Sequence, residues 1–143
     1  MDERVVCAMW KEFLSSIGIG NMKVDTIVRN PRLSRKDRIE GEIVIYGGNI
    51  VQKVDAILLS LLYRYEEIKE DSDFTQHERE IMEKSISDIG KIKPKETKRI
   101  PFEIALESDH PLTHGSSETV LRTILLIPNS INPQDEDTIV VVE

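Results

Sequence analysis

His110 and His114, four residues apart with Asp109 beside them, have the side-chain types that a divalent metal uses when two imidazoles and a carboxylate share one helix face. Pro111 stands between them and removes a backbone donor that such a helix needs. His77 is the remaining imidazole of the chain and lies far away in sequence. The pair therefore reads as solvated loop histidines, and no metal site is assigned.

Nucleophilic and acid–base chemistry find no better footing. Cys7 is the single cysteine and precedes the patterned part of the chain, and no serine sits in the strand-turn-helix setting of a nucleophile elbow. The carboxylate pairs Asp71/Asp73 and Asp135/Asp137 lie in polar, turn-like stretches, where exposure leaves ordinary acidity and not the separated pKa values of an acid and a base. No catalytic residue, cofactor site or cofactor is assigned, and the chain is expected not to be an enzyme.

Two basic clusters, Arg29, Arg32, Arg35, Lys36 and Arg38, then Lys91, Lys93, Lys95, Lys98 and Arg99, suit solubilising turns or the docking of an acidic protein. Nucleic acid is not expected, because no aromatic residues for base stacking are interleaved with that charge and the net charge of −7 opposes polyanions. A lone cysteine, no export signal and no apolar run near the roughly 20 residues of a membrane span point to the cytoplasm.

The elements that carry these residues are mostly strands. Over residues 9–17, Trp10, Phe13, Leu14 and Ile17 fall at helical offsets, which predicts a short amphipathic helix closed by the glycines at 18 and 20. From residue 22 onward, Val, Ile, Leu and Tyr recur in short segments punctuated by turn residues. The segment 38–46 alternates with Ile39, Gly41, Ile43 and Ile45 inward and Glu40 and Glu42 outward. Gly47, Gly48 and Asn49 then read as a hairpin turn that pairs 38–46 with the following strand, 51–66. A charged stretch over 66–80 precedes a weaker strand over 79–89. Ile100, Phe102, Ile104 and Leu106 mark another strand, which Pro101 confines to an edge or a bulge. Strands over 119–127 and 137–142 complete an all-β, immunoglobulin-like antiparallel sandwich of about seven strands.

The chain resembles the bacterial arrestin-like sporulation-control proteins, in their amino-terminal half. The resemblance runs through residues 13–20, residues 23–26, Glu40 to Ile43 with Gly47, Gly48 and Asn49, then Gln52, residues 54–61, residues 100–104 and residues 132–139. It implies an arrestin-like sandwich, no catalytic activity, and regulation through protein contacts in spore formation. On this reading residues 1–20 form an extension with the amphipathic helix, residues 21–143 form the amino-terminal arrestin-like domain, and the family's second sandwich is absent.

The alternation also leaves apolar groups on faces that a lone sandwich makes polar: Leu58, Leu62, Val120, Ile124, Leu126, Val140 and Val142. With Trp10, Phe13, Leu14 and Ile17 they form the candidate protein interface, because large exposed apolar patches are rare on monomers. The expected partners are cytoplasmic proteins, including a second copy of the chain bound through such a face or an open strand edge. A weak peripheral membrane contact through the amino-terminal helix, where Lys11 is the only basic residue, is the alternative.

Overall fold

The computed structural model describes residues 21–68 and 74–143. They form two facing sheets. β1 (Lys23–Val28), β3 (Arg38–Tyr46) and β6 (Thr97–Ala105) make a three-stranded antiparallel sheet in the order β1-β3-β6. β2 (Arg32–Ser34), β8 (Gln134–Val142), β7 (Glu118–Leu126), β4 (Gln52–Ile68) and β5 (Phe74–Ile92) make a five-stranded sheet in the order β2-β8-β7-β4-β5. The core lies between them. Ile39, Ile43 and Ile45 of β3 and Phe102 and Ile104 of β6 meet Ile57, Leu59 and Leu61 of β4, Leu121 and Leu125 of β7, and Ile139 and Val141 of β8. Each fully buried aliphatic side chain contributes roughly 1.5–3 kcal/mol relative to exposure.

The alternation predicted for 38–46 is present, and Pro101 lies on the edge strand β6. Three features depart from the expected sandwich. An eighth strand, β2, follows Pro31 and pairs in parallel with β8, so the sheet is not wholly antiparallel. Its three residues are too few to display a period. The weak strand expected over 79–89 spans Phe74–Ile92 and pairs along β4, with register breaks between Val54 and Ala56 and between Leu61 and Leu62. Its alternating charges suit a sheet edge, where solvated charge discourages pairing with other chains.

The third departure is the link at residues 47–49. It is not a hairpin turn: β3 and β4 belong to different sheets, and the chain crosses from one layer to the other there. The glycine serves close approach and not positive φ. Gly47 N donates to Glu96 O at 2.6 Å and Lys95 N donates to Gly48 O at 2.9 Å, so this link lies against the turn between β5 and β6. A Cβ at Gly47 would collide with the carbonyl oxygen of Lys93 and the amide nitrogen of Glu96, backbone atoms that bond each other across the turn at 3.1 Å. Gly47→Ala is therefore expected to lower the unfolding free energy by about 1–3 kcal/mol. The measurement is a urea titration with a lower midpoint at unchanged slope; wild-type stability would show that the two turns part freely.

Candidate functional site: the outer face of the five-stranded sheet

In β4, β7 and β8 the residues that close the core leave their neighbours pointing to the other side of the sheet. Leu58 is opposite Ile124, Ala56 opposite Leu126, and Leu62 opposite Val120. Val140 and Val142 alternate with the buried Ile139 and Val141. All seven apolar strand positions singled out in the sequence thus share one face. The other four, Trp10, Phe13, Leu14 and Ile17, lie outside the described residues, as does the amino-terminal helix.

Charged residues on the same face form a network across four strands. Arg64 Nε of β4 donates to Glu78 Oε2 of β5 at 2.7 Å, and its Nη2 donates to both carboxylate oxygens of Glu136 of β8 at 2.9 Å. Arg122 Nε of β7 donates to Glu136 Oε2 at 2.8 Å, and its Nη2 reaches Glu78 Oε2 at 3.3 Å. Burial by itself would raise the pKa of Glu136, but hydrogen bonds from Arg122 and Arg64 outweigh it and hold the carboxyl below its usual value.

The network has a packing consequence. Glu136 is in register with Arg122, two rows along the sheet from Arg64, so the Arg64–Glu136 link spans the row holding Leu62 and Val120. Those two side chains are 3% and 2% exposed. Leu58, Ile124, Leu126, Val140 and Val142 remain half-buried. The face is thus part ionic lid and part accessible apolar surface.

Asp135 and Asp137 are not turn carboxylates, as the sequence had suggested; they sit on the inner side of β8, opposite Thr123 and Leu121. Asp135 Oδ2 accepts the Thr26 amide of β1 at 2.8 Å, and the Thr26 and Thr123 hydroxyls are 2.7 Å apart. These are polar ties between the two layers. Burial raises the pKa of Asp135, Asp25 adds to that, and hydrogen bonds from the Thr26 amide and Asp137 oppose it. No sequence signal marks this joint, because Asn132 and Pro133 just before it carry turn chemistry.

The histidines do not converge on a metal either. His110 is buried, contrary to the solvated-loop reading, with Nε2 3.0 Å from Thr119 Oγ1. His114 is exposed in a turn closed by Ser117, and His77 stacks on Tyr65 with Nε2 2.9 Å from Glu67 Oε1. Among the described residues no group of three His, Cys, Asp or Glu side chains is placed to hold a metal ion. Asp71 and Asp73 lie outside them.

Several residues of the basic clusters serve the fold. Arg35 donates to Ser108 O, Arg38 pairs with Glu103, Arg99 pairs with Glu42, and Lys98 donates to Ile89 O. A hollow of about 40 Å³ lined by Met22, Gln52, Ile127, Ile131 and Pro133 is far below the ~300 Å³ of a small-molecule site. No helix among the described residues is long and apolar enough to cross a membrane.

The two facing sheets and their strand order define an arrestin-like β-sandwich. Residues 10–143 match the family model described as SpoOM protein, and the chain belongs to this Spo0M family. It is 31% identical over 134 residues to the sporulation-control protein spo0M of Bacillus subtilis (strain 168), covering 94% of this chain and 52% of that protein. The crystal structure of Spo0M from Bacillus subtilis superposes with a TM-score of 0.77 at 31% identity, over 87% of this chain and 51% of that one. A DUF4466 family protein from Parabacteroides merdae shares the fold at 8% identity, with a TM-score of 0.52 over 85% of this chain and 45% of its own. This chain spans about half the length of the curated relative it matches.

Glu136→Ala removes an acceptor shared by both arginines on a partly exposed face. It is expected to cost on the order of 1 kcal/mol, and less at high salt; an effect that grows with salt would contradict the ionic reading. Asp135→Asn keeps an acceptor for Thr26 and removes the charge. Because the folded-state pKa of Asp135 is raised, its ionised form opposes folding at neutral pH, and this opposition fades as pH falls through that pKa. The variant is therefore expected to be at least as stable as wild type near pH 7, with the advantage shrinking toward about pH 4. Clear destabilisation of the variant in neutral buffer would contradict the assignment.

Proposed function

We propose that this chain is a non-catalytic regulatory domain in sporulation control, acting in the cytoplasm by presenting the outer face of its five-stranded sheet to a protein partner. The sporulation-control name of the 31% identical relative supports the process. The observation that carries the mode of action is the pairing of half-buried Leu58, Ile124 and Leu126 with the fixed Arg64, Arg122, Glu78 and Glu136 network. An apolar centre beside oriented charge is the composition of a protein contact: burial supplies affinity, and the charges reject wrong partners and wrong registers.

The test is complementation in a spore-forming bacterium lacking its own family member, comparing this chain with Ile124→Asp. Ile124 is half-buried on the outer side, so the sandwich should persist, which circular dichroism and urea titration check. Wild type is expected to alter spore yield and the variant to lose most of that effect. Equal activity of a folded variant would contradict the contact face, and no effect of the wild-type chain would contradict the sporulation role.

A further inference from the structure

Residues 106–117 connect β6 to β7 and lie against the carboxyl-terminal end of β8. Thr113 N donates to Val141 O at 2.9 Å, and Val141 N donates to Thr113 Oγ1 at 3.0 Å. Arg35 Nη1 donates to Ser108 O at 3.0 Å, and Leu112 packs against the core. At the centre of this segment His110 is 1% exposed, with Nε2 against Thr119 Oγ1 and no partner for Nδ1 among the described residues.

That arrangement fits only a neutral ring. With Nδ1 lacking an acceptor, the consistent tautomer carries its proton on Nε2 and donates it to Thr119. A second proton would place a charged N–H at an enclosed nitrogen to which no described residue offers an acceptor, which is costly. The charged groups acting on the ring from the packed elements are Arg35 from the turn after β2, Arg79 from β5, and Asp109 from its own segment. Two guanidiniums oppose an imidazolium there and one carboxylate favours it.

We propose that His110 is an acid-sensitive latch: its neutral ring holds residues 106–117 against β8, and protonation releases them, freeing the Val141 backbone groups at the end of the last strand. Burial and then Arg35 lower the His110 pKa below its ordinary 6.5. The opened segment therefore takes up the proton more readily than the closed one. Closure is fully stable above the ordinary imidazole value and weakens as pH falls below it, toward the lowered pKa.

Hydrogen–deuterium exchange, corrected for the intrinsic pH dependence of amide exchange, tests this on peptides covering 106–117 and 139–143 at about pH 7.5 and about pH 5. Wild type is expected to lose protection at the lower pH, because the His110 pKa is lower in the closed segment than in the open one. His110→Gln retains a donor for Thr119 and does not titrate, so its protection should be the same at both values. His77→Gln and His114→Gln should keep the wild-type drop. Unchanged protection in wild type at low pH, or an equal drop in His110→Gln, would overturn the latch. If His110→Gln is open at both values, NMR titration of the wild-type ring decides: ring and segment titrating together support the proposal, and opening while His110 stays neutral overturns it.

Discussion

The period of two along a strand is the constraint from which the rest of this structure follows. Once Ile57, Leu59 and Leu61 of β4 and Leu121 and Leu125 of β7 close the core, their neighbours have no choice of side. Leu58, Leu62, Val120, Ile124 and Leu126 must then face outward together, because the β4–β7 register sets them opposite one another. A slip of one residue would exchange the two sets and bury Ser60 and Arg122 in the core.

Part of that outward apolar surface is dealt with internally. Arg64 and Arg122 lay their guanidinium groups across the sheet to Glu78 and Glu136, and the long side chains cover Leu62 and Val120 as they do so. Individually such partly exposed pairs contribute little to stability. Their greater effect is to fix a charge pattern beside uncovered Leu58, Ile124 and Leu126, which turns an apolar strip into a surface with orientation. The polar joint of Thr26, Thr123 and Asp135 works differently: it ties an edge strand of one layer to a strand of the other, where slippage would misalign the inner faces.

What the sequence discloses is what local periodicity controls. The inward set of β3, the edge position of Pro101 and the shared outer face of Leu58, Ile124 and Val140 are all consequences of alternation over a few residues. What it conceals depends on contacts distant in sequence. Gly47 and Gly48 look alike whether they make a turn or admit a neighbouring backbone, and only the Lys93–Glu96 turn decides between them. Asp135 lies two residues after Pro133 and His110 directly precedes Pro111, so both read as loop residues. Asp135 is bonded by Thr26, 109 residues away, and His110 by Thr119, nine residues on across a loop, and alternation over a few residues predicts neither contact.

A photo-crosslinking amino acid placed at Ile124 in sporulating cells, with a matched control at the exposed Ile131 on the loop between β7 and β8, measures directly whether this outer face meets another protein. Discrete protein adducts from position 124 and few from 131 are expected. Adducts from 131 alone, with none from 124, would contradict the contact face.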